Sequence, residues 1–244
     1  MKLFLLAALI FQSVFSIAQS SGDGLFKKAG GLINKVKGGK SGALSNEDIV
    51  AGLKEALSVG AQNSASKLSA TDGFFANAVI KVLMPEEARK VEKTLRAAGM
   101  GQMVDKAILS MNRAAEQASK SAAPIFIDAV KQMSFQDAFG ILKGHDSAAT
   151  VYLKGKTQPA LTSAFRPVIE DALQQTNATR YWKDVFDTYN KLPTTFKKVN
   201  TDLPAYVTER ALSGLFYQVA LEEQKIRKDP AARVTDILRK VFAN

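Results

Sequence analysis

The chain has 244 residues, 46% of them hydrophobic, with no cysteine, a single histidine and a formal net charge of +10. These counts exclude a thiolate nucleophile, a disulfide, a Cys-ligated zinc and any metal motif built on two histidines. They leave enough apolar mass for one core of about 200 residues, held by packing and hydrogen bonds alone.

Met1-Lys2 opens an apolar run, Leu3 to Phe15, that closes in Ser16-Ile17-Ala18. A basic start, a short apolar middle and small residues before a cut after Ala18 predict a secretory signal peptide over 1–18. The run is shorter than the about 20 apolar residues of a bilayer span, and it contains Gln12 and Ser13. The expectation is an exported protein, periplasmic or extracellular. Without cysteine it is not expected to be a lipoprotein.

Residues 19–44 read as a basic leader rich in Gly, Ser and Lys. Lys27, Lys28, Lys35, Lys37 and Lys40 face Asp23 alone. Leu25, Phe26, Ala29, Leu32, Ile33 and Val36 recur at helical spacing, with the lysines largely off that stripe. A basic amphipathic segment of this kind suits an anionic membrane surface or an envelope polyanion. Gly30, Gly31, Gly38 and Gly39 oppose helix there by about 1 kcal/mol each. Nucleic acid is not expected as a partner, because no recognition module is present.

The body, 45–244, is predicted to be helical throughout. Ser45 and Asp48 form a capping box ahead of Ile49, Val50, Leu53, Leu57 and Ala61, one apolar face. Thr71-Asp72-Gly73 breaks the chain. Pro85 and Gly99 bracket a second helix over 85–98. A third, about 101–119, carries Met103, Val104, Ala107, Ile108, Met111, Ala114 and Ala118 on one side. Pro124 opens a helix that is apolar nearly all round, which implies burial.

Ser134 and Asp137 form another capping box, for a helix ending at Gly144. Asp146 is expected to cap a long segment reaching about Gln175, kinked at Pro159 and Pro167. Trp182, Val185, Phe186 and Tyr189 mark a further helix, 203–228 is the longest, and Asp229-Pro230 starts the last. No stretch alternates with period two. The fold class is all-α: a single compact bundle of about eight to ten helices, behind the signal peptide and the basic linker.

Catalytic signatures are missing. Gly39-Lys40-Ser41 mimics the end of a phosphate loop, but the required opening glycine is Asn34. No Gly-x-Ser-x-Gly elbow occurs. His145 sits at a helix junction and reads as an exposed turn residue. No metal ligand set and no cofactor is expected. Asn177-Ala178-Thr179 is a glycosylation sequon.

On the helix over 206–221, Tyr206, Glu209, Arg210, Ser213 and Tyr217 fall on one arc of an otherwise apolar cylinder. Burial of that arc would demand partners for its charges. Asn112, Arg113 and Glu116, at the border of the third helix's stripe, are the candidates. The expectation is a buried polar network or a ligand pocket built from these eight residues.

Five segments in order carry a resemblance: Leu44-Ser45-Asn46-Glu47-Asp48-Ile49, Thr71-Asp72-Gly73-Phe74-Phe75, Asn112-Arg113-Ala114-Ala115-Glu116, Val207-Thr208-Glu209-Arg210-Ala211-Leu212 and Pro230 through Leu238. Together they resemble the bacterial family called domain of unknown function 4197, over about residues 44–242. The resemblance implies an exported, helical bacterial protein and no assigned activity. Where relatives often carry Gly-Gly-Asp, this chain has Gly144-His145-Asp146. The functional expectation is a non-enzymatic envelope module that binds a small ligand or a protein, peripheral to an anionic membrane. The alternative is a metal-independent hydrolase or lyase using Glu209 and Arg210.

Overall fold

The structure is a computed structural model and describes residues 45–191, 198, 201–229, 233 and 239. The expected signal peptide, the leader with Leu25, Phe26, Lys27, Lys28, Leu32, Ile33, Lys35 and Lys37, and the helix after Pro230 lie outside the described residues. A compact unit spans Leu44–Asn244.

The described residues form α-helices and one short 3-10 turn, with no strand among them. In chain order the helices are α1 (Asn46–Ser69), α2 (Arg89–Ala97) preceded by the 3-10 turn Glu86–Ala88, α3 (Gly101–Ser119), α4 (Ala122–Lys131), α5 (Phe135–Leu142), α6 (Ala148–Gln174), α7 (Ala178–Asn190) and α8 (Leu203–Lys228). Both capping boxes form. Ser45 and Asp48 exchange hydrogen bonds at the start of α1, and Ser134 and Asp137 do so at α5. Backbone N–H groups without an intrahelical partner are satisfied in this way.

Three details differ from the sequence expectation. Pro124 is the third residue of α4, not its opening. A helix's first turn has no intrahelical N–H bonds to lose, so the proline fits there. Ser147, not Asp146, is the N-cap residue of α6, and Asp146 instead pairs with Lys228 at 2.8 Å. Finally, α6 runs unbroken past Pro159 and Pro167. Both prolines are exposed, as are Gly155 and Ser163, whose carbonyls lose their helical donors to them. Water can take those carbonyls, so the ladder is interrupted only on the wet side.

The centre of the fold is α6. Leu153, Leu161, Phe165, Ile169 and Leu173 are sealed from solvent, together with Thr157, in a row spaced every four residues. Such a row drifts slowly round the helix. It brings α6 against α3, α4, α5, α7 and α8. On its other side α8 packs on α1 and α3. Between α1 and α2 the chain crosses the bundle as turns over 70–84. Gly214 of α8 permits that crossing: a Cβ there would sit 2.6 Å from the Phe74 ring, which is fully buried. One helix therefore lacks a side chain where a neighbouring segment needs the room.

Candidate functional site

Two places on α3 separate the chemistry of this chain. The first is the C-terminal half of the helix, where Asn112, Arg113 and Glu116 grip the 70–84 crossing. Asn112 Oδ1 accepts the Val82 N–H at 2.9 Å, and its Nδ2 donates to the Val82 and Ile108 carbonyls at 2.9 and 2.7 Å. All three polar functions of the amide that this geometry offers are used. Glu116 Oε1 accepts the Phe74 and Phe75 N–H groups at 3.1 and 3.2 Å. Arg113 then bridges Glu116 Oε2 and Asp72 Oδ1, each at 2.7 Å. Those two hydrogen bonds, to Glu116 and then Asp72, raise the pKa of the guanidinium further. Phe75 closes the assembly, with Lys81 Nζ 3.7 Å over its ring. The Asn112 amide and the Glu116 carboxylate are buried with their polar atoms partnered, while Arg113 and Asp72 pair at the edge of the clamp, partly exposed.

The remaining expected residues do not join it. Glu209, Arg210 and Ser213 are exposed, and Tyr217 is 39% exposed. Among the described residues neither Glu209 nor Arg210 makes an ion pair. The expectation of a buried network or ligand pocket built from all eight residues is therefore corrected: three form a clamp, and Glu209, Arg210, Ser213 and Tyr217 form a surface arc. Tyr206 stands apart from both. Its hydroxyl donates to the Leu83 carbonyl at 2.8 Å, and its ring stacks on Trp182 with centroids 6.3 Å apart. Burial pushes its phenol up. Asp128 and Lys131 bond to each other on the surface.

The buried ion pair of α8 is a different one. Glu223 accepts the Ala149 N–H at 3.0 Å, and the Thr150 N–H and hydroxyl at 2.9 and 2.8 Å. Arg227 completes it at 3.0 Å and also donates to the Ile141 carbonyl at 2.8 Å. A carboxylate placed on the free N–H groups at the start of α6 meets the positive end of that helix's dipole. Sequence reading passed over Glu223 because it lies in a run of charges, Glu222 to Lys228, that resembles a solvated helix end.

The second place is the N-terminal half of α3. Here α2, α3 and α7 enclose an apolar cavity of about 570 Å³. Its walls include Val91 and Leu95 of α2, Met103 and Ala107 of α3, and Trp182 and Phe186 of α7. Gln102, Met103 and Lys106 are exposed, so the cavity reaches solvent past them. The helix α2 buries none of its own residues. It is held to α3 by Arg96, which bonds Glu92 at 3.0 Å and Asp105 at 2.8 Å. Exposed pairs of this kind contribute about 0–1 kcal/mol, so this wall is the lightly fastened one.

Sequence reading put Met103 and Ala107 in the core stripe. In the structure the core takes Val104, Ile108, Met111, Ala114, Ala115 and Ala118, while Met103 is 51% exposed at the cavity edge. The available signal was the width of the apolar stripe on α3, more than one packed neighbour can cover.

Among the described residues no helix is long and apolar enough to cross a membrane, and no group of three His, Asp or Glu residues converges. His145 is exposed, with Nδ1 2.9 Å from the Ser147 hydroxyl. The fold and these two places define an all-helical module with a satisfied polar clamp and an open apolar cavity on one helix. The family profile described as "Protein of unknown function (DUF4197)" matches residues 43–243, and the chain belongs to that family. No curated protein and no solved structure matches it.

Proposed function

We propose that this protein is a ligand-binding module of the bacterial envelope, and that its binding site is the cavity between α2, α3 and α7. The observation that carries the reading is the cavity itself. Its volume, about 570 Å³, lies in the roughly 300–1,000 Å³ range of small-molecule sites. An apolar space of that size with a few polar groups at the mouth suits an apolar or amphipathic molecule. The clamp supports the reading from the other side, because it fixes the 70–84 crossing that leads into Met84 and Ala88, both in the cavity wall.

The export half of the proposal rests on the apolar run 3–15 and the small residues Ser16 and Ala18. The basic leader adds attraction to an anionic membrane. N-terminal sequencing of the protein recovered from a bacterial envelope fraction tests it, with Gln19 as the expected first residue and Met1 as the contrary result. The hydrolase or lyase reading draws no support from Glu209 and Arg210, which are exposed and make no ion pair among the described residues.

Trp182 is the only tryptophan of the chain and lines the cavity, so it reports on occupancy. Titration with the uncharged probe N-phenyl-1-naphthylamine should quench Trp182 saturably at one probe per chain. The Ala107→Phe variant, which puts a ring into the space, should weaken that quenching while keeping its helical circular dichroism. Unsaturable quenching in the wild type, or saturable quenching unchanged by Ala107→Phe, would remove the cavity as the site.

A further inference from the structure

The cavity wall on α3 is built in two rows. Met103 and Ala107 form an apolar row. Gln102, Lys106 and Ser110, also in the wall, form a polar row at i, i+4 and i+8. Residues four apart share a helix face, so the two rows run side by side. The facing walls are mostly apolar, from Val91 and Leu95 and from Trp182 and Phe186, with Glu92 and Thr176 the polar residues among them. An occupant therefore meets apolar surface over most of its length and a continuous polar seam along α3.

Among the described residues two ionisable groups reach the wall, Glu92 and Lys106. The Glu92 carboxylate is already engaged by Arg96 at 3.0 Å. Asp105, the acidic neighbour of Lys106 in sequence, is drawn to the same arginine at 2.8 Å. Lys106 has no ion-pair partner among the described residues. The uncommitted charge at the cavity is thus an ammonium on a flexible stem, with three donors. Its complement is an anionic group at the end of an apolar body.

Volume narrows the body. A methylene needs roughly the 30 Å³ that a water molecule takes in the liquid. The space of about 570 Å³ then holds on the order of twenty chain atoms. That is one alkyl chain, and not the two of a phospholipid.

We propose that the cavity binds a single-chain amphiphile with an anionic head, the chain lying between α2, α3 and α7 and the head at Lys106 Nζ, flanked by Gln102 and Ser110. The assignment rests on the reading of the cavity as a ligand site. Entry runs past Met103 and the lightly fastened α2. The thioether of Met103 is flexible and soft enough to re-pack around chains of different length.

The test uses the full chain and three probes of equal length, each below its aggregation concentration: dodecanoate, 1-dodecanol and dodecyltrimethylammonium. Each is titrated by displacement of N-phenyl-1-naphthylamine, read at Trp182. Dodecanoate should bind about three- to tenfold tighter than dodecanol, with the cationic probe weakest. The preference should shrink as salt is raised. Shortening the carboxylate by two methylenes should weaken it about tenfold. Lys106→Met keeps the stem and removes the charge, so it should erase the preference and leave dodecanol unchanged.

Equal binding of dodecanoate and dodecanol, or a preference that survives Lys106→Met, would overturn the anionic head and leave the cavity standing. Failure of all three amphiphiles to displace a probe that does bind would overturn the amphiphile itself. Failure of the probe to bind would overturn the reading beneath it.

Discussion

The two halves of α3 make a useful contrast. Around Asn112 and Glu116 the surroundings are polar and buried, and nearly every donor and acceptor is taken. Around Met103 and Ala107 the surroundings are mostly apolar, and no side chain of the described residues fills the space between the walls. Buried polar groups are costly unless satisfied, so a cluster that is fully satisfied is explained by folding alone. Interiors are packed to crystal-like density, so an apolar space left open is not explained that way. In this molecule folding accounts for the charged residues of the clamp, and the proposed ligand site lies in the plain hydrophobic stretch.

The sharpest way to break that contrast is to remove Glu116. Glu116→Ala strands the Phe74 and Phe75 N–H groups and the Arg113 guanidinium. It should cost about 3 kcal/mol or more, seen in urea unfolding. A loss under about 1 kcal/mol would mean that the clamp is not what holds the crossing in place.

A matched enlargement on the same helix comes next. Ala115 is fully buried in the core, and Ala107 lines the cavity. Ala115→Leu should destabilise by about 1–3 kcal/mol through overpacking. Ala107→Leu should be neutral or stabilise by up to about 1 kcal/mol. Equal losses in thermal unfolding would show both sites to be equally packed.

Asp202 gives a smaller effect outside both regions. It caps α8 by accepting the Ala205 N–H at 2.9 Å and pairs with Arg166 at 2.7 Å. Burial pushes its carboxyl up, but the Arg166 and Ala205 hydrogen bonds outweigh burial and leave it below the ordinary 3.8. A pKa lower in the folded than in the unfolded chain gives stability above the unfolded value, lost as pH falls through the folded one. Asp202→Ala should therefore cost about 1 kcal/mol near neutrality. The gap to wild type should narrow below pH 3.8. A gap constant from pH 7 to pH 2 would show that the charge contributes nothing.

The smallest effects belong to the arc that looked most promising. Glu209→Gln and Arg210→Gln should each change stability by less than about 0.5 kcal/mol, since both residues are exposed. Neither should alter quenching of Trp182 by the naphthylamine probe.

Much of the fold was legible in the sequence because its signals are local. Capping boxes at Ser45 and Ser134 act over three residues, and the apolar periodicity of α1, α3 and α8 is written within each helix. The clamp was half legible: Asn112, Arg113 and Glu116 were picked out, but with the wrong partners. Their partners across the fold are backbone groups of 74, 75 and 82 and the Asp72 carboxylate, which no sequence pattern announces. Glu209 and Glu223 lie only about 40° apart round α8 at 100° per residue. One is exposed and the other buried, because Glu223 meets the first turn of α6 while Glu209 meets solvent.

The sequence by itself determined the helical class, the starts of the capped helices, the absence of cysteine chemistry and the family. The tertiary structure alone decided which polar residues are sealed, which glycine makes room for Phe74, and where apolar surface is left uncovered. Periodicity tells a helix which of its faces is apolar. Only the placement of its neighbours decides how much of that face is covered, and the uncovered remainder between α2, α3 and α7 is the cavity.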